Sequence, residues 1–242
     1  MNWMAGKSRL GGAAARVAPK TRGSAPVVAP PASVGKSSHK SENFRLSNGL
    51  KDFLWLISDV ENGRLLDLGQ VSQATLNFFI ERGFRVTTDD MLRSWKEFRS
   101  AEEEKQRKAP PSDFNEPLSP EEIAQHFLQD SLQYSDNHFN AVLIWDLFDR
   151  LDAGLLPRIA DRLHEIVRPG GAVLALFHSK TPERTYRYRI VDNQTIEIVP
   201  IGAAGNHLRV FQNREILNLF SRFRSAKTFV GRDQIREGLF IK

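Results

Sequence analysis

The sequence predicts a doubly wound α/β fold with a mostly parallel sheet. Residues 64–88 read as a strand, a helix and a second strand, which is the βαβ unit from which parallel sheets are built. The segment 141–145 is apolar at every position, as in a strand that is buried on both faces of such a sheet. A helical pattern at 154–167 and a further apolar strand at 172–177 repeat the alternation, so both halves of the chain indicate the same fold.

The first two helices have recognisable ends. Ser47 is placed to cap a helix that closes before the strand at 64–68. Ser72 is placed to cap the next helix, which ends at Gly83 before the strand at 84–88. The strand, helix and strand that result form a crossover that is almost always right-handed.

The middle of the chain is less regular. Residues 91–109 are crowded with charge and predict a solvated helix, after which three prolines interrupt the chain. Ser119-Pro120 and the two glutamates that follow predict a new helix, because they combine a cap, a proline in the first turn and early acids. No β pattern is found between this helix and residue 138. The third parallel strand is therefore expected to be short, displaced or absent.

The last part of the chain predicts a hairpin and a closing helix. Arg168-Pro169-Gly170-Gly171 is expected to turn the chain into the apolar strand that follows. Residues 186–199 alternate polar with apolar side chains around Asp192-Asn193, which predicts an inserted hairpin. Asn213 is placed to cap the final helix. Two short strands end the chain, at 227–230 and 238–241.

Residues 1–41 differ from the rest in composition. They are rich in Ala, Gly, Pro and Ser and bury too little apolar surface to offset ordering entropy, so we expect a disordered tail before a single α/β domain at 42–242. Residues 1–40 hold seven basic residues and no acid, so with a whole-chain charge of +5 the remainder carries −2. Any contact with nucleic acid or an anionic surface would therefore be weak and would depend on the tail. An organelle transit peptide is the alternative reading of this acid-free leader.

The composition excludes several classes of protein. A chain of 242 residues with 40% hydrophobic residues suits one soluble domain. Because cysteine is absent, disulfides, thiolate metal sites and cysteine nucleophiles are excluded. No apolar run approaches the roughly 20 residues that a spanning helix needs. We expect a cytoplasmic protein, with organelle import as the alternative, and nothing in the sequence specifies an oligomeric state.

Two motifs together are typical of one protein family. An apolar strand ends in Asp67-Leu68-Gly69, and Arg168-Pro169-Gly170-Gly171 precedes a later apolar strand. From about residue 42 to its end the chain resembles class I S-adenosylmethionine (SAM) methyltransferases of the type 11-like group. The resemblance implies a Rossmann-like sheet of seven strands that ends in an antiparallel pair. It also implies SAM as the cofactor and methyl transfer to an unidentified acceptor.

The resemblance assigns particular residues to the cofactor. Asp67 would lie near the methionine ammonium, and the backbone that follows it would line the cofactor. Asp90 would accept both ribose hydroxyls, or Asp89 would do so if the register shifts by one. Trp145 would form a wall for the adenine or for the acceptor, although packing under the 147–151 turn is equally compatible with its position. The implied cofactor-binding residues are Asp67, Gly69, Gln70, Asp89, Asp90 and Trp145.

The glycine motif of this chain is degenerate. Val71 and Gln73 stand where the family has its second and third glycines. A β-branched residue at positive φ is strained by about one to a few kcal/mol, and its side chain occupies ligand volume, so Val71 is expected to be the main obstacle to SAM. The alternative function is therefore a non-catalytic methyltransferase-like protein that serves as a binding or scaffold module. A nicotinamide dehydrogenase is a weaker alternative, because a pyrophosphate requires the later glycines.

The catalytic residues are less well defined than the cofactor residues. Asp146, Trp145 and His178 follow two of the predicted strands and are the weak candidates, and a lone histidine in such a place is more often a polar cap. Tyr186 and Tyr188 are placed to form either an acceptor surface or one face of a half-buried hairpin. In-line placement provides much of the rate of methyl transfer, so a general base is optional. No histidine pair has metal-ligand spacing, and we expect no metal site.

Overall fold

The structure is a computed structural model that describes residues 43–108, 118–203, 208–231 and 233–242. The predicted tail, residues 1–41, lies outside these ranges. The elements are, in chain order, β1 (Phe44–Leu46), α1 (Asn48–Leu56), β2 (Arg64–Asp67), α2 (Gln73–Ile80), β3 (Arg85–Thr88), α3 (Met91–Lys108), α4 (Pro120–Asp130), β4 (Phe139–Trp145), a 3-10 turn (Phe148–Arg150), α5 (Leu156–Ile166), β5 (Val167–His178), β6 (Arg184–Ile190), β7 (Thr195–Ala203), α6 (Asn213–Leu219), β8 (Ser225–Val230) and β9 (Ile235–Ile241).

A six-stranded sheet with the order β3-β2-β4-β5-β9-β8 forms the centre of the domain. The strands β3, β2, β4 and β5 run parallel, and β9 is antiparallel to both of its neighbours. The predicted fold class, a doubly wound and mostly parallel sheet with a terminal antiparallel pair, is confirmed. In the part of the chain that the structure describes, α3 and α4 but no strand lie between β3 and β4, so the expected third strand is missing and β3 forms the sheet edge.

Helices cover both faces of this sheet. On one face α3, α4, α5 and α6 enclose a large apolar core that includes Trp95 and Leu163. On the other face α1 and α2 contribute Phe53 and Phe79, whose rings meet edge to face at 6.5 Å between centroids. Within the described ranges, no helix is long and apolar enough to cross a membrane.

A second, three-stranded antiparallel sheet has the order β1-β7-β6. Its β6–β7 hairpin is the insertion that the sequence predicts, whereas β1 is an addition that sequence reasoning did not include. The hairpin contacts α2, where the Ile190 amide donates a hydrogen bond of 3.1 Å to the Thr75 hydroxyl. This placement brings Tyr186 and Tyr188 of β6 to the carboxyl edge of the main sheet.

Three of the predicted helix caps are confirmed and one is wrong. The Ser47 hydroxyl accepts from the third amide beyond it at 2.9 Å, and Ser72 and Ser119 cap their helices in the same way. The last helix is capped by Gln212, and Asn213 is its first residue. Gln212 takes part in a reciprocal capping box, which leaves Asn213 no capping role.

The predicted turn at 168–171 lies inside β5 rather than before it. Val167 already pairs with Phe139 of β4, and the regular ladder resumes at Ala172. The intervening residues bulge out of the ladder, with Gly170 at a φ of +78°, a conformation that glycine adopts without strain. The turn therefore acts as a bulge at the start of a long strand.

Candidate functional site

The carboxyl ends of the parallel strands meet at a cleft between β2 and β4. In a doubly wound sheet this is the point where the strand order reverses, and ligands bind there. The cleft contains about 50 Å³ of cavity, whereas ligand pockets usually hold about 300–1,000 Å³. Its lining residues are Leu68, Gly69, Gln70, Asp90, Leu92, Ile144, Trp145, Asp146, Leu147, Arg150, Thr185, Tyr186, Arg187 and Tyr188.

Asp67 ends β2 at the base of this cleft and is only 1% exposed. Its Oδ1 atom accepts two hydrogen bonds, from the Gly69 amide at 3.0 Å and from the Trp145 indole Nε1 at 2.7 Å. Both donors are neutral. Burial raises the pKa of Asp67 to about 6, against the lowering effect of these two hydrogen bonds. Among the residues that the structure describes, no cation therefore balances the charge of this buried carboxylate.

Trp145 occupies the space beside the loop that follows β2. Its backbone has a φ of +54°, and the pairing of β4 with β5 shifts register just before it. The indole stacks on Tyr188 with centroids 5.7 Å apart and planes 3° apart. A Cβ atom on Gly69 would lie 2.3 Å from Trp145 Cδ1, so only glycine permits this approach. Trp145 thus packs against Gly69 and Asp67, and not under the 147–151 turn.

The expectation that Val71 obstructs the cofactor is wrong. Val71 does not have a positive φ, and its side chain is 53% exposed. Gln73 is the first residue of α2, and its side chain donates outward to Asn77 at 2.7 Å. The side chains of Val71 and Gln73 lead away from the cleft, so the residues that replace the glycines do not fill the site. The group that does fill it is the indole of Trp145, which the sequence placed at the edge without giving its direction.

The two acids that follow β3 lie in different surroundings. Asp90 lines the cleft, and its Oδ1 accepts a hydrogen bond of 3.2 Å from the Arg93 amide at the start of α3. Asp89 does not line the cleft. Burial raises the pKa of Asp89, and the adjacent charge of Asp90 raises it further. Of the two predicted ribose acceptors, Asp90 has the more suitable position.

A second part of the cleft begins at the end of β4. Asp146 is buried there and forms an ion pair with Arg150, with 2.7 Å between Oδ2 and Nη2. A wider groove of about 690 Å³ continues from this point along α3, and Gln70 and Thr185 belong to both spaces. The groove falls within the size range of ligand pockets, about 300–1,000 Å³.

His178 ends β5 and is buried behind the wall of the cleft rather than exposed in it. Its ring lies against Asp149, a residue that sequence reasoning did not select. Arg150 was also overlooked. The signal that could have revealed both is a charged pair placed in an otherwise apolar stretch directly after a buried strand, since such acids are rarely buried without a partner. No group of metal-ligating side chains is found among the described residues.

Comparison with known proteins gives matches in structure alone. No protein-family model matches the sequence. No curated protein matches it either.

Several solved structures are similar to this chain at low sequence identity. A 1,6-didemethyltoxoflavin-N1-methyltransferase of Burkholderia thailandensis is 14% identical over 80% of this chain and 76% of that chain, with a TM-score of 0.42. A TehB-like SAM-dependent methyltransferase of Corynebacterium glutamicum is 12% identical over 80% and 87%, with a TM-score of 0.42. A type 11 methyltransferase of Sulfolobus solfataricus, described as putative, is 15% identical over 79% and 90%, with a TM-score of 0.43. Each is a distant likeness to this chain.

Proposed function

We propose that this chain binds SAM at the cleft between β2 and β4 and transfers its methyl group to an acceptor in the adjoining groove. The observation that carries the proposal is the convergence of Asp67, the Gly69 backbone and Asp90 at the point where the strand order reverses. These groups come from two strand ends and match the needs of a nucleoside that carries a cationic amino-acid chain. SAM would supply a methyl group activated by the positive charge of its sulfonium.

In this proposal each acid has a distinct task. Asp67 is buried with neutral partners, so a ligand ammonium would provide the cation that its carboxylate lacks. Asp90 would accept the two ribose hydroxyls, because one carboxylate can receive both donors. Gln70 would contribute its backbone to the cofactor wall. Rate enhancement would come mainly from holding the acceptor in line with the sulfonium.

Cofactor binding requires Trp145 to leave its position. Its indole N–H satisfies the carboxylate that the ligand ammonium would bind, and its ring takes up the space beside Gly69. A cleft of about 50 Å³ is far below the about 300–1,000 Å³ of an ordinary ligand pocket. Rotation of this one side chain would free both the carboxylate and the space.

Thermal unfolding with S-adenosylhomocysteine tests the proposal. At about 100 times its dissociation constant a ligand adds about 2.7 kcal/mol, which raises the midpoint by several degrees. We expect this shift in the wild type, a larger shift in Trp145→Ala, and a reduced shift in Asp90→Ala. Asp130→Ala, an exposed acid on α4, is the matched control and should respond as the wild type does. The absence of any shift in both the wild type and Trp145→Ala would exclude SAM binding.

The non-catalytic module is a second candidate, supported by the hydrogen-bonded fit of Trp145 in the cleft. A protein with this function would keep the indole in place as a permanent part of its core. The same experiment separates the two candidates. If Trp145→Ala responds to S-adenosylhomocysteine and the wild type does not, the cleft is closed in the natural protein and the module is correct.

A further inference from the structure

Three buried polar side chains form a continuous chain behind the cleft. Asp149 Oδ2 accepts hydrogen bonds from the His178 amide at 2.7 Å and from His178 Nδ1 at 2.8 Å. On the other side of the ring, His178 Nε2 lies 3.4 Å from the Tyr188 hydroxyl. All three residues are at most 4% exposed, and Tyr188 also lines the cleft. The series therefore runs from the interior to the wall of the proposed active site.

The geometry fixes where the protons lie. A carboxylate oxygen can only accept, so Nδ1 of His178 carries the proton that faces Asp149. In the neutral ring Nε2 is then the acceptor, and it is directed at the hydroxyl of Tyr188. The contact from Nδ1 to Asp149 orients the ring, and the backbone amide of His178 holds the same carboxylate oxygen in place. This is the arrangement in which an acid orients a histidine to take a proton from a third group.

Asp149 is poorly explained by packing alone. Its second oxygen, Oδ1, is buried without a hydrogen-bond partner among the described residues. Burial raises the pKa of Asp149 to about 6, against the lowering effect of its contacts with His178. A half-satisfied buried carboxylate is unfavourable for folding, and groups of this kind concentrate at functional sites.

We propose that Tyr188, His178 and Asp149 form a proton relay that receives the proton of the methyl acceptor, an inference that rests on the proposed methyltransferase function. The acceptor class is then a hydroxyl or an N–H group, which must lose a proton when it is methylated. Tyr188 is the catalytic residue because it reaches the cleft. His178 and Asp149 are positioning residues that act through it.

The acceptor oxygen or nitrogen forms a bond to the methyl carbon, and the carbon–sulfur bond breaks with its electron pair going to sulfur. The acceptor proton passes to the Tyr188 oxygen while the hydroxyl proton of Tyr188 passes to His178 Nε2. The resulting imidazolium is stabilised by the Asp149 carboxylate, and it later releases the proton to solvent.

The surroundings of Tyr188 keep its hydroxyl protonated. Burial raises the pKa of Tyr188 well above its ordinary value, and the negative charge of Asp146 adds to the effect. Tyr188 therefore stays protonated and conducts a proton rather than acting as a phenolate base. Apart from Asp149 and Tyr188, the titratable group against His178 is Tyr186, whose ring stacks on the imidazole at 6.1 Å. Arg150 faces Tyr188 but is paired with Asp146.

Nitrogen-15 NMR of the full chain tests the relay without any acceptor. At pH 7.5 we expect His178 as the Nδ1–H tautomer, with an Nε2 signal that moves when Tyr188 is replaced by Phe. Tyr186→Phe, which keeps a ring on the imidazole, should leave that signal in place. The Nε2–H tautomer, or an Nε2 signal that ignores Tyr188→Phe, would overturn the relay.

Methyl transfer provides the second measurement. Methyl-labelled SAM is supplied with phenol and aniline as proton-bearing probes and with thioanisole as a probe that has no proton to lose. We expect Tyr188→Phe and His178→Gln to reduce transfer to the first two about a hundredfold. Both variants should keep the unfolding shift with S-adenosylhomocysteine, so loss of that shift in the wild type identifies failure of the proposed function instead. Unchanged rates in the variants, or transfer to thioanisole alone, would contradict the relay.

Discussion

Two buried carboxylates at different places in the domain have opposite surroundings. Asp67, at the cleft, and Glu237, on β9, are each 1% exposed. Asp67 is held by an indole N–H and a backbone amide. Glu237 Oε1 lies 2.6 Å from Nη1 of the buried Arg45, and Oε2 accepts from the Gly49 amide near the start of α1. The two acids are equally buried, but Glu237 is paired with a cation and Asp67 has only neutral donors.

The difference separates an acid with a structural role from the acid to which we assign the ligand ammonium. Glu237 joins β1, α1 and β9, and the positive end of the α1 dipole supports its charge. Nη1 of Arg45 does not direct a hydrogen at the carboxylate, so the contact is an ion pair without a hydrogen bond. Asp67 has no ion pair of this kind, and burial destabilises its ionised form. A buried carboxylate without a cation is the kind of group that a cationic ligand would satisfy.

Removal of Glu237 tests the structural half of this comparison and has the largest expected effect. Glu237→Ala leaves Arg45 buried with Asp233 as its remaining partner, and loss of one member of a buried ion pair costs about 3–5 kcal/mol. Urea unfolding at pH 7 measures the loss. Combined with Arg45→Ala in a double-mutant cycle, the two changes should cost clearly less than their sum. A loss under about 1 kcal/mol would mean that the pair contributes little.

The sequence could predict the position of Asp67 but not the partnership of Glu237. Asp67 follows an apolar strand, and parallel strands bring their carboxyl ends to one edge, so Asp90 and Trp145 are expected near it. The Arg45–Glu237 pair joins opposite ends of the chain through β1, a three-residue strand with little pattern of its own. Long-range pairs of this kind arise from tertiary packing, which periodicity does not encode.

The sequence could not predict the direction of the Trp145 side chain either. Its indole reaches Asp67 because the backbone adopts a positive φ after a register shift between β4 and β5. Neither feature has a signal in the sequence, since positive φ is rare for an aromatic residue. Reasoning from the missing glycines therefore selected Val71 as the obstacle, although its side chain points to solvent.

Asp67→Asn tests the functional half and should stabilise the protein. The folded pKa, about 6, lies above the ordinary value of 3.8, so ionisation of this carboxyl costs no stability below pH 3.8 and costs progressively more as the pH rises through 6. The amide keeps the shape and never ionises, which removes a penalty of about 3 kcal/mol above pH 6. Urea unfolding should show the gain at pH 8 and almost none at pH 4. The variant should also lose its response to S-adenosylhomocysteine.

Trp145→Phe sharpens the comparison by removing one neutral donor from Asp67. The ionised carboxylate then keeps only the hydrogen bond from the Gly69 amide and is less stabilised. The pKa of Asp67 should therefore rise above its wild-type value of about 6. Carbon-13 NMR of the carboxyl group measures this directly. Stability at pH 8 should fall by about 2 kcal/mol, the usual worth of a hydrogen bond to a charged group. Trp55→Phe, at a tryptophan that is 75% exposed, is the control, and an equal loss there would remove the special role of Trp145.

Lys227→Ala has the smallest expected effect. It tests whether an exposed ion pair contributes to the free energy of unfolding. Lys227 on β8 and Asp52 on α1 lie 3.2 Å apart, and their side chains are 56% and 38% exposed. This pair connects α1 to the same end of the sheet as Arg45 and Glu237 do, but water screens its charges. Exposed ion pairs contribute about 0–1 kcal/mol, so urea unfolding should show a loss of stability near the lower end of this range. Added salt should abolish the loss. A loss comparable with that of Glu237→Ala would show that position in the fold, and not burial, determines the strength of these pairs.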